Sequence, residues 1–171
     1  MKEGSIRYSG KARVVGDHIN TDYIISSRRK RDTLDEKALA QYLMEDIDPS
    51  FAGKVRSGDL LVAGENFGCG SAMEIAACVI RGAGIPVVMA KSFARAFYRN
   101  GINTGLLLVI CDTRDIEDED DLTVTLGGVN ISIRDDTKNK TIEAADFPSA
   151  LLPILTAGGL VKYMRRKDAT S

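Results

Sequence analysis

Gly64-Glu65-Asn66-Phe67-Gly68-Cys69-Gly70-Ser71-Ala72-Met73-Glu74-Ile75 is the stretch from which the fold is read. It follows the apolar run Leu60-Leu61-Val62-Ala63, which suits a buried strand. It leads into residues 72–83, where Ile75, Val79 and Ala83 recur at helical spacing. Strand, glycine loop, helix is the local reading. Ser71 followed three residues later by Glu74 is a capping-box pattern, which places Ser71 at the helix N-cap. Gly68 and Gly70 permit backbone angles closed to other residues and let a ligand approach the main chain. A helix start also presents unpaired N–H groups to an anion. Spacing alone fits a plain turn with a serine cap equally well. A dinucleotide fingerprint would need a third glycine where Met73 stands, and a phosphate loop would need Gly-Lys-Ser/Thr. What survives is an anion site with a serine at its edge.

Working outward, the apolar runs 86–90 and 106–110 read as two more buried strands, with the segment 92–100 between them as a helix capped by Ser92. Three such strands alternating with helices predict an α/β fold with a mainly parallel, covered sheet. Residues 7–15 read as an opening strand or hairpin, and 34–44 as an amphipathic helix. Residues 112–121 read as a solvated acidic loop, because the spacing of a calcium loop is absent. Residues 122–126 and 129–133 form a C-terminal hairpin about Gly127-Gly128, and 140–144 add a strand. Helices follow at 148–155 and 160–166, and residues 167–171 should fray. At 171 residues, without repeat or linker, the chain is expected to be one domain.

Composition narrows the classes. Lys plus Arg number 23 and Asp plus Glu 24, so no bulk field favours nucleic acid or an anionic membrane. The basic run Arg28-Arg29-Lys30-Arg31 carries no interleaved aromatics and reads as a solvated loop. No apolar run reaches membrane-spanning length and Met1-Lys2-Glu3-Gly4 is not a signal core, so a cytoplasmic protein is expected. Cys69, Cys78 and Cys111 form no paired motif, and His18 is the only histidine; no metal site is expected in this chain.

The run from Gly64 to Ser71 resembles the active-site loop of the aconitase superfamily small subunits, whose two-subunit members are isopropylmalate isomerase and homoaconitase. Gly16-Asp17-His18-Ile19-Asn20-Thr21-Asp22-Tyr23-Ile24 is similar to the family's Gly-Asp-x-x-x-Thr-Asp-x-Ile. The contiguous run from Ala90 to Leu106 resembles a third family block. Isopropylmalate isomerase is the nearest likeness. The resemblance implies a single swivelling β/β/α domain over residues 1–171, acting as the small subunit of a hydro-lyase for a 2-hydroxy di- or tricarboxylic acid. Ser71 is then the base that removes a carbon-bound proton, and Asp22 orients a group from the partner. A four-iron, four-sulfur cluster is expected on the partner large subunit. Gly70, Ala72, Met73, Arg28 and Arg31 fall on substrate-binding positions. Where the family has Ser-Arg after the base, this chain has Ala72-Met73. That departure implies a shifted carboxylate site, with Arg28 or Arg31 gripping the acid and Met73 as an apolar wall. A related hydratase for homoaconitate or a methylated malate, and a non-catalytic regulatory partner, stay open as alternatives.

Overall fold

The computed structural model describes residues 4–31 and 33–169. Met1, Lys2 and Glu3, Asp32 beside the basic run, and Thr170 and Ser171 of the expected frayed end lie outside the described residues. The fold is organised by β1 (Ser5–Val14), which serves two differently paired halves of one seven-stranded sheet. Its residues Ser5 to Lys11 pair antiparallel with β5 (Asp121–Gly127), and Ala12 to Val14 pair parallel with β2 (Leu60–Val62). β3 (Val87–Ala90) and β4 (Leu107–Ile110) extend the parallel half, while β6 (Asn130–Asp135) and β7 (Lys140–Ile142) extend the antiparallel half. The order across the sheet is β4-β3-β2-β1-β5-β6-β7. The expected α/β architecture with parallel apolar strands and a C-terminal hairpin is therefore present, and its antiparallel half is as extensive as the parallel one.

Burial explains the two sequence patterns. Every residue of β2 and β3 is buried, as continuous apolar runs require when both faces are covered. β5 buries Leu122, Val124 and Leu126 and turns the alternate residues outward, the signature of a sheet with one wet face. Around the sheet lie α1 (Thr21–Ile24), a 3₁₀ turn (Arg29–Arg31), α2 (Glu36–Ala40), α3 (Phe51–Lys54), α4 (Glu74–Gly82), α5 (Arg95–Asn103), α6 (Leu152–Thr156) and α7 (Leu160–Ala169). α4 packs on α2 and α5, and α7 on α5 and α6.

Several local expectations change. The helix expected over 34–44 is only α2: Asp35 caps it through Ala38 N–H at 2.7 Å, and beyond Ala40 the chain turns until Met44, at φ 60°, donates its N–H to Ile24 O. The hairpin turn falls on Gly128-Val129, one residue later than expected, because Gly127 pairs with Asn130. Residues 167–169 belong to α7 instead of fraying. The acidic segment is anchored at both ends. Thr113, buried, donates its hydroxyl to Ala63 O at 2.7 Å, and Asp120, only 5% exposed, pairs with Lys138 at 2.8 Å. Burial works against the Asp120 charge, but the Lys138 ammonium and the Glu117 N–H outweigh it and hold the carboxyl below its ordinary range.

The two halves are stapled at the point where β1 changes partners. Arg13 and Asp59 are each 5% exposed, and Arg13 Nε donates to Asp59 Oδ2 at 2.6 Å. Arg13 Nη1 also donates to the Glu119 carboxylate, which precedes β5, so one guanidinium joins the approaches to β2 and β5.

Candidate functional site

Adjacent parallel strands deliver their following loops to the same edge of the sheet, the usual place for ligands in open α/β folds. Here the loops after β1, β2 and β3 stay hydrogen-bonded beyond the strands. On the β1 side, Val15 N–H donates to Val62 O, Gly64 N–H to Gly16 O, His18 N–H to Glu65 O, Gly68 N–H to Ile19 O and Thr21 N–H to Cys69 O, all at 2.7–3.1 Å. On the β3 side, Lys91 N–H donates to Gly64 O, Phe67 N–H to Ser92 O and Ala94 N–H to Phe67 O, each at 3.0 Å. The glycine loop is thus gripped along both edges, which fixes its backbone without help from a ligand.

Two glycines make this path possible. Gly68 has φ +80°, and a Cβ there would lie 2.2 Å from the Phe97 ring. Gly70 has φ +89°, and its Cβ would meet the Asn20 amide at 2.5 Å. Beneath the loop, fully buried Phe67 meets Phe97 edge to face at 5.1 Å and Phe93 at 6.1 Å. Burying such a ring contributes about 2–3 kcal/mol, so the loop rests on a firm apolar floor.

At the end of the loop the structure departs from the capping-box expectation. α4 begins at Glu74; its N-cap position is Met73, in an extended conformation and with no side-chain cap. Thr21 Oγ1 donates to Ser71 O at 2.9 Å and draws Ser71 toward α1, so the chain does not turn helical until three residues later. The Ser71 hydroxyl is consequently not spent on a cap, and it has no hydrogen-bond partner among the described residues. Gly70, Ser71 and Ala72 are exposed and Met73 is half-buried. Among the described residues the N–H groups from Gly70 to Met73 donate to no acceptor, leaving a short row of donors beside the hydroxyl.

Asp22 arrives from the other loop. Asn20 Oδ1 accepts Asp22 N–H at 2.9 Å and starts α1, and Asp22 itself is exposed. Thr21, bonded to both Cys69 and Ser71, is the joint that brings Asp22 and Ser71 onto one rim. The basic run that follows is latched to residues 42–46. Arg28 donates to Asp46 at 3.1 Å, and Arg29 grips Glu45 through two bonds at 2.8 Å while lying 3.8 Å over the Tyr42 ring. The Arg29 bond holds the Glu45 carboxyl below its ordinary range. Lys30 turns instead to the glycine loop, its Nζ lying against Met73 Sδ. Arg31 is exposed.

No three His, Cys, Asp or Glu side chains among the described residues are grouped so as to hold a metal ion. The cysteines stand apart, in the glycine loop, in α4 and just after β4. Burial pushes the Cys78 thiol up and the Cys111 thiol up to about 12, which opposes the thiolate form a metal needs. An iron–sulfur cluster does not fit this chain's own donors.

The Aconitase C-terminal domain family model matches residues 20–113, which run from the cap of α1 through the glycine loop to just past β4. The chain belongs to this family. The 3-isopropylmalate dehydratase small subunit of Nitratidesulfovibrio vulgaris is 46% identical over 164 residues, covering 95% of this chain and 96% of that one. The methanogen homoaconitase small subunit of Methanocaldococcus jannaschii is 46% identical over 158 residues, covering 92% and 91%. A crystal structure described as 3-isopropylmalate dehydratase (LeuD) from Methanocaldococcus jannaschii superposes with a TM-score of 0.90 at 43% identity, covering 96% of this chain and 97% of that one.

In this aconitase-family chain, then, Ser71, Asp22, Gly70, Ala72 and Met73 are gathered by the paired loops. Arg28 is engaged by Asp46, away from the glycine loop. Sequence reading missed Thr21, Asn20, Ser92 and Lys30. Ser92, expected as a cap, accepts Asn66 N–H at 2.8 Å and braces the loop, and α5 begins at Arg95. Thr21 and Asn20 carry a local signal, an Asx-type start to a short helix, but nothing in the spacing shows which distant carbonyl the threonine holds.

Proposed function

We propose that this chain is the small subunit of a two-subunit hydro-lyase that dehydrates and rehydrates a 2-hydroxy dicarboxylic acid, with 3-isopropylmalate as its substrate. The observation that carries the reading is Ser71, an exposed hydroxyl released from capping and set beside a row of unshared N–H groups. A serine hydroxyl is a very weak acid, so it serves as a base only where its oxyanion is stabilised. The N–H groups of Gly70 to Met73 and the start of α4 supply such stabilisation at no cost of reorganisation, because the loop is already fixed. Ser71, as its alkoxide, then takes the proton from the substrate carbon. The C–H electron pair becomes the C=C bond as the C–O bond of the neighbouring carbon breaks, and the departing hydroxide would be protonated to water by a group that the partner supplies. Asp22 orients a group contributed by the partner. Gly70, Ala72 and Met73 line the substrate, and Arg28 and Arg31 serve as carboxylate partners; Arg28 would have to leave Asp46 to do so.

A large subunit completes the enzyme, as the small-subunit names of the relatives suggest, and carries the four-iron, four-sulfur cluster for which this chain lacks donors. We assign the complex to the cytoplasm, in keeping with the absence, among the described residues, of any helix long and apolar enough to cross a membrane. A second reading is a homoaconitate hydratase, favoured by the equal identity to the methanogen homoaconitase small subunit. The two are separated by steady-state kinetics of the reconstituted pair on 3-isopropylmalate and homocitrate. Higher kcat/KM for 3-isopropylmalate is expected; preference for homocitrate would establish the second reading, and turnover of neither would reject both.

A further inference from the structure

We propose that Lys30 binds a carboxylate of the substrate, with Met73 as the apolar wall beside it. Lys30 is half-buried, and its one described polar contact is the Met73 thioether. A thioether is a weak acceptor, so the ammonium keeps most of its capacity for an anion. Its neighbours in the run are committed elsewhere: Arg28 to Asp46 and Arg29 to Glu45 and the Tyr42 face. Those two latches hold the 3₁₀ turn so that the next side chain reaches across to the glycine loop. No described carboxylate forms an ion pair with Lys30, Glu74 included.

Met73 lies two residues beyond Ser71, at most about 7 Å along the backbone, so the flexible lysine stem can bring its ammonium to a substrate held at Ser71. A cation pressed against a thioether selects for a carboxylate next to an alkyl substituent. The lysine supplies charge and the methionine supplies an adaptable apolar surface. On this account Arg28 keeps its bond to Asp46 and leaves the carboxylate to Lys30, and Arg31 is secondary.

The proposal rests on the hydroxy-acid reading of the Ser71 site, and two measurements separate failure of one from failure of the other. In the reconstituted complex, Lys30→Leu should raise KM for 3-isopropylmalate by about 10- to 100-fold with kcat within about threefold, and Lys30→Arg should recover most of the loss. This split is the signature of a contact equally strong in ground and transition states. In the isolated chain, 3-isopropylmalate should shift the Met73 methyl resonance saturably in the wild type. Neither the Lys30→Leu variant nor the uncharged dimethyl ester should give that shift. A KM for Lys30→Leu within about twofold of wild type would overturn the proposal. So would a Met73 methyl that the diacid leaves unmoved in the wild type, or moves equally in the variant. If the wild-type complex turns over no hydroxy acid, the hydro-lyase reading falls and the methyl titration alone decides the lysine.

Discussion

Ser71 does not hold the place at the start of α4 that the capping pattern gives it. Ser71, in a capping-box spacing, is not a cap; Met73, with no capping side chain, occupies the N-cap position. The consequence is measurable. A serine cap is worth about 1 kcal/mol, whereas an exposed hydroxyl without a partner is worth little. Ser71→Ala is therefore expected to change the unfolding free energy of the isolated chain by less than about 0.5 kcal/mol in urea titration. A loss of 1 kcal/mol or more would mean that the hydroxyl holds structure after all. The residue's importance is legible in the glycine motif, since Gly68 and Gly70 announce a backbone that must pass close to something. Its freedom is not legible, because it depends on Thr21 drawing on the Ser71 carbonyl from a separate loop. Lys30 is a similar case: four basic residues in a row look alike until Asp46, Glu45 and Tyr42 claim the first two.

At the level of elements, the glycine loop behaves as a continuation of the sheet, bonded along both edges and floored by Phe67. Gly68→Ala probes it most sharply. A left-handed backbone costs a side-chain-bearing residue about 1–2 kcal/mol, and a methyl pushed into the Phe97 ring adds about 1–3 kcal/mol of overpacking. A fall of about 2–5 kcal/mol in unfolding free energy is expected, read as a lower denaturant midpoint at unchanged m-value. A fall below about 0.5 kcal/mol would show that the loop is not held as described. The strands of this region are plain in the sequence, because β2, β3 and β4 are apolar runs of strand length bounded by turn residues. The helix starts are not. Ser71 and Ser92 both satisfy local capping rules, yet one is drawn away by Thr21 and the other accepts Asn66 N–H. Capping preferences are local, and the long-range bonds of the paired loops override them.

For the whole molecule, β1 joins a parallel half that carries the loops to an antiparallel half that braces them. The buried Arg13–Asp59 pair sits where the two meet. Removing one member of such a pair strands the other, so Asp59→Ala should cost about 3 kcal/mol or more, by the same denaturant measurement. A loss below about 1 kcal/mol would mean that Glu119 alone satisfies the guanidinium. The hairpin of the antiparallel half was visible in the sequence, but the splitting of β1 between two partners was not. Residues 5–14 carry three cations, Arg7, Lys11 and Arg13, and the sequence alone does not show that Arg13 is the buried one, at the change from β5 to β2. The exposed rim that carries Ser71 and Asp22 is, on this account, half of an active site. The most direct test is turnover of 3-isopropylmalate by the purified chain, by the chain reconstituted with its large subunit, and by the Ser71→Ala complex. The account predicts no turnover by the chain alone, robust turnover by the complex, and a fall in kcat of about 100-fold or more on replacing Ser71. Turnover by the isolated chain, or an undiminished kcat in the Ser71→Ala complex, would contradict it.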